Sequence, residues 1–188
     1  SLVSMQAREL ATFAIGKAIE AAGITPDTVQ YTTMGWVMQD PRSPNLAKVA
    51  GEYAGIPCTV PGTTFHENCA SGGAAVHSLA RRILLGEVEI GVAGGVESMS
   101  NVARYLYTGR HKGTVYGDMV LEDGVMGSLV DRHIPPKGEL MGLATERVVE
   151  KYGATRREQD EVAFRSPKKK GRIAVCLWIF LNNLMILA

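Results

Sequence analysis

Asn68-Cys69-Ala70-Ser71-Gly72-Gly73-Ala74-Ala75 stands at a junction between two kinds of sequence. Before it, residues 60–65 are rich in β-branched residues and close on Phe65, which predicts a strand. After it, Val76, Leu79, Ala80 and Ile83 fall at helical spacing, predicting a helix over 70–85 that Gly86 ends. Cys69 therefore closes a strand-to-helix turn and opens the helix. The first turn of a helix presents unpaired N–H groups and a partial positive charge, which favour a thiolate over a thiol and can also donate to a developing oxyanion. The six residues after Cys69 are all Ala, Ser or Gly, so the helix start can pack closely and still leave room for a ligand. A buried, inert structural cysteine is the alternative reading of this stretch taken alone.

A second stretch, Gly91-Val92-Ala93-Gly94-Gly95-Val96-Glu97-Ser98-Met99-Ser100, follows an apolar strand predicted over 88–93. Glycines at the end of a strand let backbone come close to a ligand or to another helix. It is no dinucleotide fingerprint, because it lacks GxGxxG leading into a helix.

Outward from these two stretches the elements alternate. Residues 4–22 predict a helix with an apolar stripe of Leu10, Phe13, Ala14, Ala18, Ile19 and Ala22, stopped by Gly23. A strand is predicted over 29–38, broken by Pro41 and Pro44, and a short helix over 45–54 with Asn45 as its N-cap. Helix, strand, helix, strand, helix, strand implies an α/β layered fold with a largely buried sheet. From 99 to 138 periodicity fades, which marks a long excursion of a functional kind. Helices are predicted again over 141–152 and, behind the capping box Thr155-Arg156-Arg157-Glu158, through Phe164.

Hydrophobic residues make up 46% of the 188 and charged residues 21%, as in an ordinary folded protein. The net charge of +1 asks for no nucleic-acid partner. Every acidic residue lies at or before Glu161, and five of the 20 Lys/Arg lie beyond Phe164, so residues 1–164 carry a net −4 and the basic run belongs to the tail. Three cysteines, Cys58, Cys69 and Cys176, with no CxxC and no metal spacing, argue against a disulfide framework or a metal site and for a reducing compartment.

The paired stretches Asn-Cys-Ala-Ser-Gly-Gly-Ala-Ala and Ala-Gly-Gly-Val-Glu-Ser-Met-Ser resemble the thiolase family of acyl-CoA C-acyltransferases. So do Ala22-Gly23-Ile24-Thr25-Pro26, Ala54-Gly55-Ile56-Pro57 and Tyr152-Gly153-Ala154-Thr155-Arg156-Arg157-Glu158-Gln159-Asp160, and the similarity runs from about residue 1 to 166. The resemblance implies the N-terminal half of a layered thiolase-type α/β fold: an α/β domain over 1–100 lacking its first strand, part of a loop domain over 101–166, and an aberrant tail over 167–188. It implies Cys69 as the nucleophile that accepts an acyl group from acyl-CoA or 3-ketoacyl-CoA, with coenzyme A as substrate and no further cofactor. Met141, in Met141-Gly142, would lie near the acyl group, although Leu140 stands where one common branch has a histidine. The activating histidine of a Gly-His-Pro segment and a second cysteine of a Cys-x-Gly-Gly-Gly segment, which the family uses, do not occur in the chain. A homo-oligomer is expected, in the cytoplasm, or in mitochondria if a targeting segment precedes Ser1. A ketoacyl-synthase relative and a non-catalytic fragment are the rival readings.

His66 lies three residues before Cys69, about 10 Å away in extended chain and on the opposite face, so it is not read as a base. His77, His111 and His133 read as surface or loop residues. Beyond Ser166 a Pro-Lys-Lys-Lys-Gly-Arg run leads into residues 173–188, of which 14 of 16 are apolar. That run is shorter than the ~20 residues that span a bilayer. A basic cluster beside an apolar segment has the make-up of a membrane-surface anchor, but a frame slip or truncation artefact in the coding sequence is the expectation.

Overall fold

The computed structural model describes residues 2–107, 118–131, 138–170 and 184–186. His111 and His133 lie outside these. In chain order the elements are α1 (Ala7–Ala22), β1 (Tyr31–Gly35), α2 (Leu46–Tyr53), β2 (Gly62–Phe65), α3 (Ser71–Leu84), β3 (Gly91–Gly95), β4 (Arg104–Tyr105), β5 (Glu122–Asp123), α4 (Gly124–Leu129), β6 (Val130–Asp131), β7 (Glu139–Leu140), α5 (Met141–Tyr152), α6 (Arg156–Lys170) and β8 (Leu184–Ile186). They fall into two compact units, Ser1–Asn101 with Ala174–Ala188, and Val102–Ile173.

The first unit is an α/β layered structure. Its sheet has the order β2-β1-β3-β8, and every neighbouring pair is parallel. Parallel strands need a covered face on each side. α1 and α2 cover one face, where Ile15, Leu46, Val29, Met34 and Val92 form the main core. α3 covers the other, where Leu79 packs with Ala93, Val76 and Ile83. β1 joins the two layers through its alternation. The Thr32 hydroxyl donates to the Ala47 carbonyl of α2 at 3.1 Å, and the next hydroxyl, of Thr33, donates to the Ala75 carbonyl of α3 at 3.0 Å. Both threonines are buried, so each hydroxyl needs the partner it has.

α1 ends as expected, with Gly23 in the left-handed region at φ 66°. Its buried face keeps Ala18 and Ile19 of the predicted stripe but takes Ala7, Ala11 and Ile15 in place of the rest, and Phe13 is 64% exposed. Asn45 caps α2, accepting from the Lys48 N–H at 3.4 Å. Gly94 and Gly95, expected to stop a strand, are its last two residues.

The second unit is built of short pieces. Two-residue antiparallel pairs join β4 to β5 and β6 to β7. Asp123 caps α4 by accepting from the N–H groups of Val125 and Met126 at 2.9 and 3.1 Å. α5 occupies the predicted 141–152 and leaves none of its residues buried. α6 opens on its capping box, with the Thr155 N–H donating to Glu158 at 2.8 Å and the Glu158 N–H to the Thr155 hydroxyl at 3.3 Å.

The tail departs from expectation. α6 continues past Phe164 and through Pro167 to Lys170, and Leu184–Ile186 adds a strand beside β3. Among the described residues, no helix is long and apolar enough to cross a membrane.

Candidate active site

Cys69 sits on a sharp elbow between β2 and α3. Asn68, just before it, has φ 49°, and no other non-glycine described residue has positive φ. That region costs an ordinary side chain ~1–2 kcal/mol, and Asn is among the residues that tolerate it. The Ser71 hydroxyl clasps the elbow: it accepts from the Glu67 N–H at 2.9 Å and donates to the Asn68 carbonyl at 2.6 Å. Two backbone bonds close the same turn, Ala70 N–H to Glu67 carbonyl at 3.0 Å and Ser71 N–H to Asn68 carbonyl at 3.1 Å. α3 starts at Ser71 with Ala70 as its N-cap, so Cys69 precedes the first turn rather than belonging to it.

The elbow is seated on the sheet by missing side chains. A Cβ on Gly35 would lie 2.3 Å from the Ser71 carbonyl carbon and 2.4 Å from the Gly72 nitrogen, so glycine at the end of β1 lets the start of α3 touch the strand. A Cβ on Gly95 would lie 3.2 Å from the Gly72 Cα. Three backbones thus converge where the parallel strands end, and in open α/β sheets ligands bind outside the carboxyl ends of the strands.

A shallow open depression of about 300 Å³ lies there, lined by Gly35, Trp36 and Val37 after β1, by Asn68, Cys69, Ser71 and Gly72 on the elbow, and by Gly95, Val96 and Glu97 after β3. Cys69 is exposed to it. A thiol presented on a braced turn, beside glycine backbone and at a helix start, suits nucleophilic attack on a carbonyl.

Residues 1–174 match the family described as thiolase, N-terminal domain. The chain belongs to the thiolase family. It is 41% identical over 170 residues to a cytosolic acetyl-CoA acetyltransferase of Gibberella zeae, and 36% identical over 174 residues to an acetyl-CoA acetyltransferase of Pseudomonas aeruginosa. Each match takes in 90% of this chain and 42% of the relative. The crystal structure of the Bacillus anthracis acetyl-CoA acetyltransferase superposes with a TM-score of 0.78 at 37% identity, over 88% of this chain and 41% of that one. The chain therefore spans about two fifths of the length of these thiolases.

Of the residues that sequence analysis singled out, Cys69 is in the depression of the first unit, and Met141 is the first residue of α5 in the second, 53% exposed. His66 is exposed just before the elbow, and His77 is exposed on α3. Cys58 is exposed in the loop between α2 and β2. Sequence reasoning gave no role to Gly35, Asn68, Ser71 or Glu97. Asn68, Ser71 and Glu97 stood inside the quoted thiolase stretches, which was the available signal. Gly35 carried none, because its contact with Ser71 joins residues far apart in the chain.

Proposed function

We propose that this thiolase chain takes part in acyl transfer between CoA thioesters, through a covalent acyl group on Cys69. The single observation that carries the reading is the exposed thiol on the braced elbow, opening into a depression at the carboxyl ends of the parallel strands. The names of the relatives, acetyl-CoA acetyltransferases, support acetyl-CoA as the substrate class. In the step proposed, the Cys69 sulfur adds to the thioester carbonyl, the carbonyl–sulfur bond to CoA breaks, and CoA leaves as a thiol with the proton that Cys69 gave up. A base then removes a proton from C2 of a second acyl-CoA, the resulting carbanion adds to the acyl carbonyl, the carbonyl–sulfur bond to Cys69 breaks as the carbon–carbon bond forms, and the freed Cys69 sulfur recovers the proton. The reverse sequence cleaves a 3-ketoacyl-CoA. In this reading Cys69 is the nucleophile, and the general base, worth roughly 10²–10⁴-fold in rate, is the histidine of the family's Gly-His-Pro segment, which does not occur in this sequence.

Incubation with excess acetyl-CoA followed by intact and peptide mass spectrometry tests the reading. A single acetyl group on Cys69, absent from Cys69→Ser, is the expected result. Acetylation of Cys58 in preference to Cys69, or of neither, would overturn it and favour a non-catalytic role.

A further inference from the structure

The stretch after β3 stands out in the sequence, yet acyl transfer as described uses only its glycine. Its polar side chains have other work. The last backbone rung between β1 and β3 lies just beyond the strands, where the Val96 N–H donates to the Gly35 carbonyl at 3.0 Å. Past that rung the Glu97 carboxylate takes over: it accepts from the N–H of Val37 at 3.1 Å and from that of Met38 at 3.3 Å. The peptides it holds belong to the strip after β1 whose Trp36 and Val37 line the Cys69 depression, as Glu97 does. Trp36 is only 4% exposed, so the core fixes one side of that strip and Glu97 the other. Ser98 acts elsewhere, with its hydroxyl donating to the Met5 carbonyl at 2.8 Å, and it does not line the depression.

We propose that Glu97 is a positioning residue: its carboxylate fixes the Trp36–Met38 strip as a wall of the Cys69 depression and so sets the width open to the group that Cys69 receives. The proposal rests on the acyl-transfer reading for what that width selects, and on geometry alone for the width itself. Two carboxylate oxygens holding two successive amides leave the strip one arrangement. Alanine at 97 frees both amides and widens the depression, whereas glutamine keeps one acceptor oxygen.

The test uses the full chain and two thiol reagents with one warhead, N-ethylmaleimide and the bulkier N-cyclohexylmaleimide. Peptide mapping gives the bulky-to-small labelling ratio at Cys69, with exposed Cys58 as reference in the same molecule. Glu97→Ala should raise the Cys69 ratio about fivefold, the scale on which one hydrogen bond acts. Glu97→Gln should fall between Glu97→Ala and the parent. Ser98→Ala should lower Tm and leave the ratio alone. An unchanged ratio in a folded Glu97→Ala, or an equal change in Ser98→Ala, overturns the proposal. Amide exchange decides it if Glu97→Ala does not fold: Glu97→Gln should speed exchange at Val37 or Met38, and protection equal to the parent overturns the idea. Failure of Cys69 to accept acetyl from acetyl-CoA would defeat the acyl-transfer reading and leave the size ratio to judge Glu97 by itself.

Discussion

Asn68 carries the local cost of presenting Cys69. Its φ of 49° suits glycine or asparagine and punishes a β-branched side chain. Asn68→Gly should therefore keep both fold and labelling, while Asn68→Val should lose about 1–2 kcal/mol of stability and slow alkylation of Cys69 relative to Cys58. Urea titration and iodoacetamide rates check the pair, and equal behaviour of the two variants would show that the backbone angle does not matter. At this scale the sequence was readable where chemistry is local. A cysteine between strand and helix signals itself, whereas the asparagine before it showed its role only through its backbone angle. The clasp of Ser71 was not readable, because a serine two residues after a cysteine looks the same whether its hydroxyl points to solvent or back into the turn.

Among the elements, α3 depends most on what its neighbour lacks. Gly35→Ala would drive a methyl into the backbone of Ser71 and Gly72, a clash that only a shift of the helix start relieves. Overpacking of this kind costs about 1–3 kcal/mol. Gly73→Ala, where a Cβ meets nothing within 4 Å, should instead stabilise α3 by about 0.5–1 kcal/mol. Thermal denaturation of the two variants should show Tm moving in opposite directions. α6 offers a pH test. Glu158 titrates below its ordinary value, first because the Thr155 N–H donates to its carboxylate and second because the Thr155 hydroxyl does. A lowered folded pKa means that the cap is fully formed above the ordinary carboxyl range and lost as pH falls through the lower, folded value. Amide exchange at Thr155 should quicken in that acid window, and Glu158→Gln should remove the pH dependence. Capping signals of this sort were legible, as were most helix ends. The buried side of α1 was not: Leu10 and Phe13 make as good a helical stripe as Ala11 and Ile15, and only the packing of the folded layers decides between them. The end of α6 was expected at Phe164, and the helix instead runs on through Pro167 to Lys170.

The larger of the two units turns on its inner strands. The order β2-β1-β3-β8 places β1 and β3 inside and gives the tail a part in the sheet, since Leu184–Ile186 pairs with Gly91–Ala93. A chain ending at Lys170 should expose the edge of β3 and lose soluble yield or Tm, while more soluble protein on deletion would show that the strand contributes nothing. The layered class was plain in the alternation of elements; this last strand was not, because a run apolar at 14 of 16 positions carries no period to say helix or strand. β1 itself is hydrogen-bonded to strands on both sides and, through Thr32 and Thr33, to a helix on each face. Neither helical layer can leave without disturbing the other, so the unit should come apart in one step, with the amides of Thr32 to Met34 among the last to exchange. The elbow rests on the same strand at Gly35. The nucleophile's posture therefore has the lifetime of the domain: on a heating ramp, the preference of a thiol reagent for Cys69 over Cys58 should vanish at the temperature where the fold does, and no earlier.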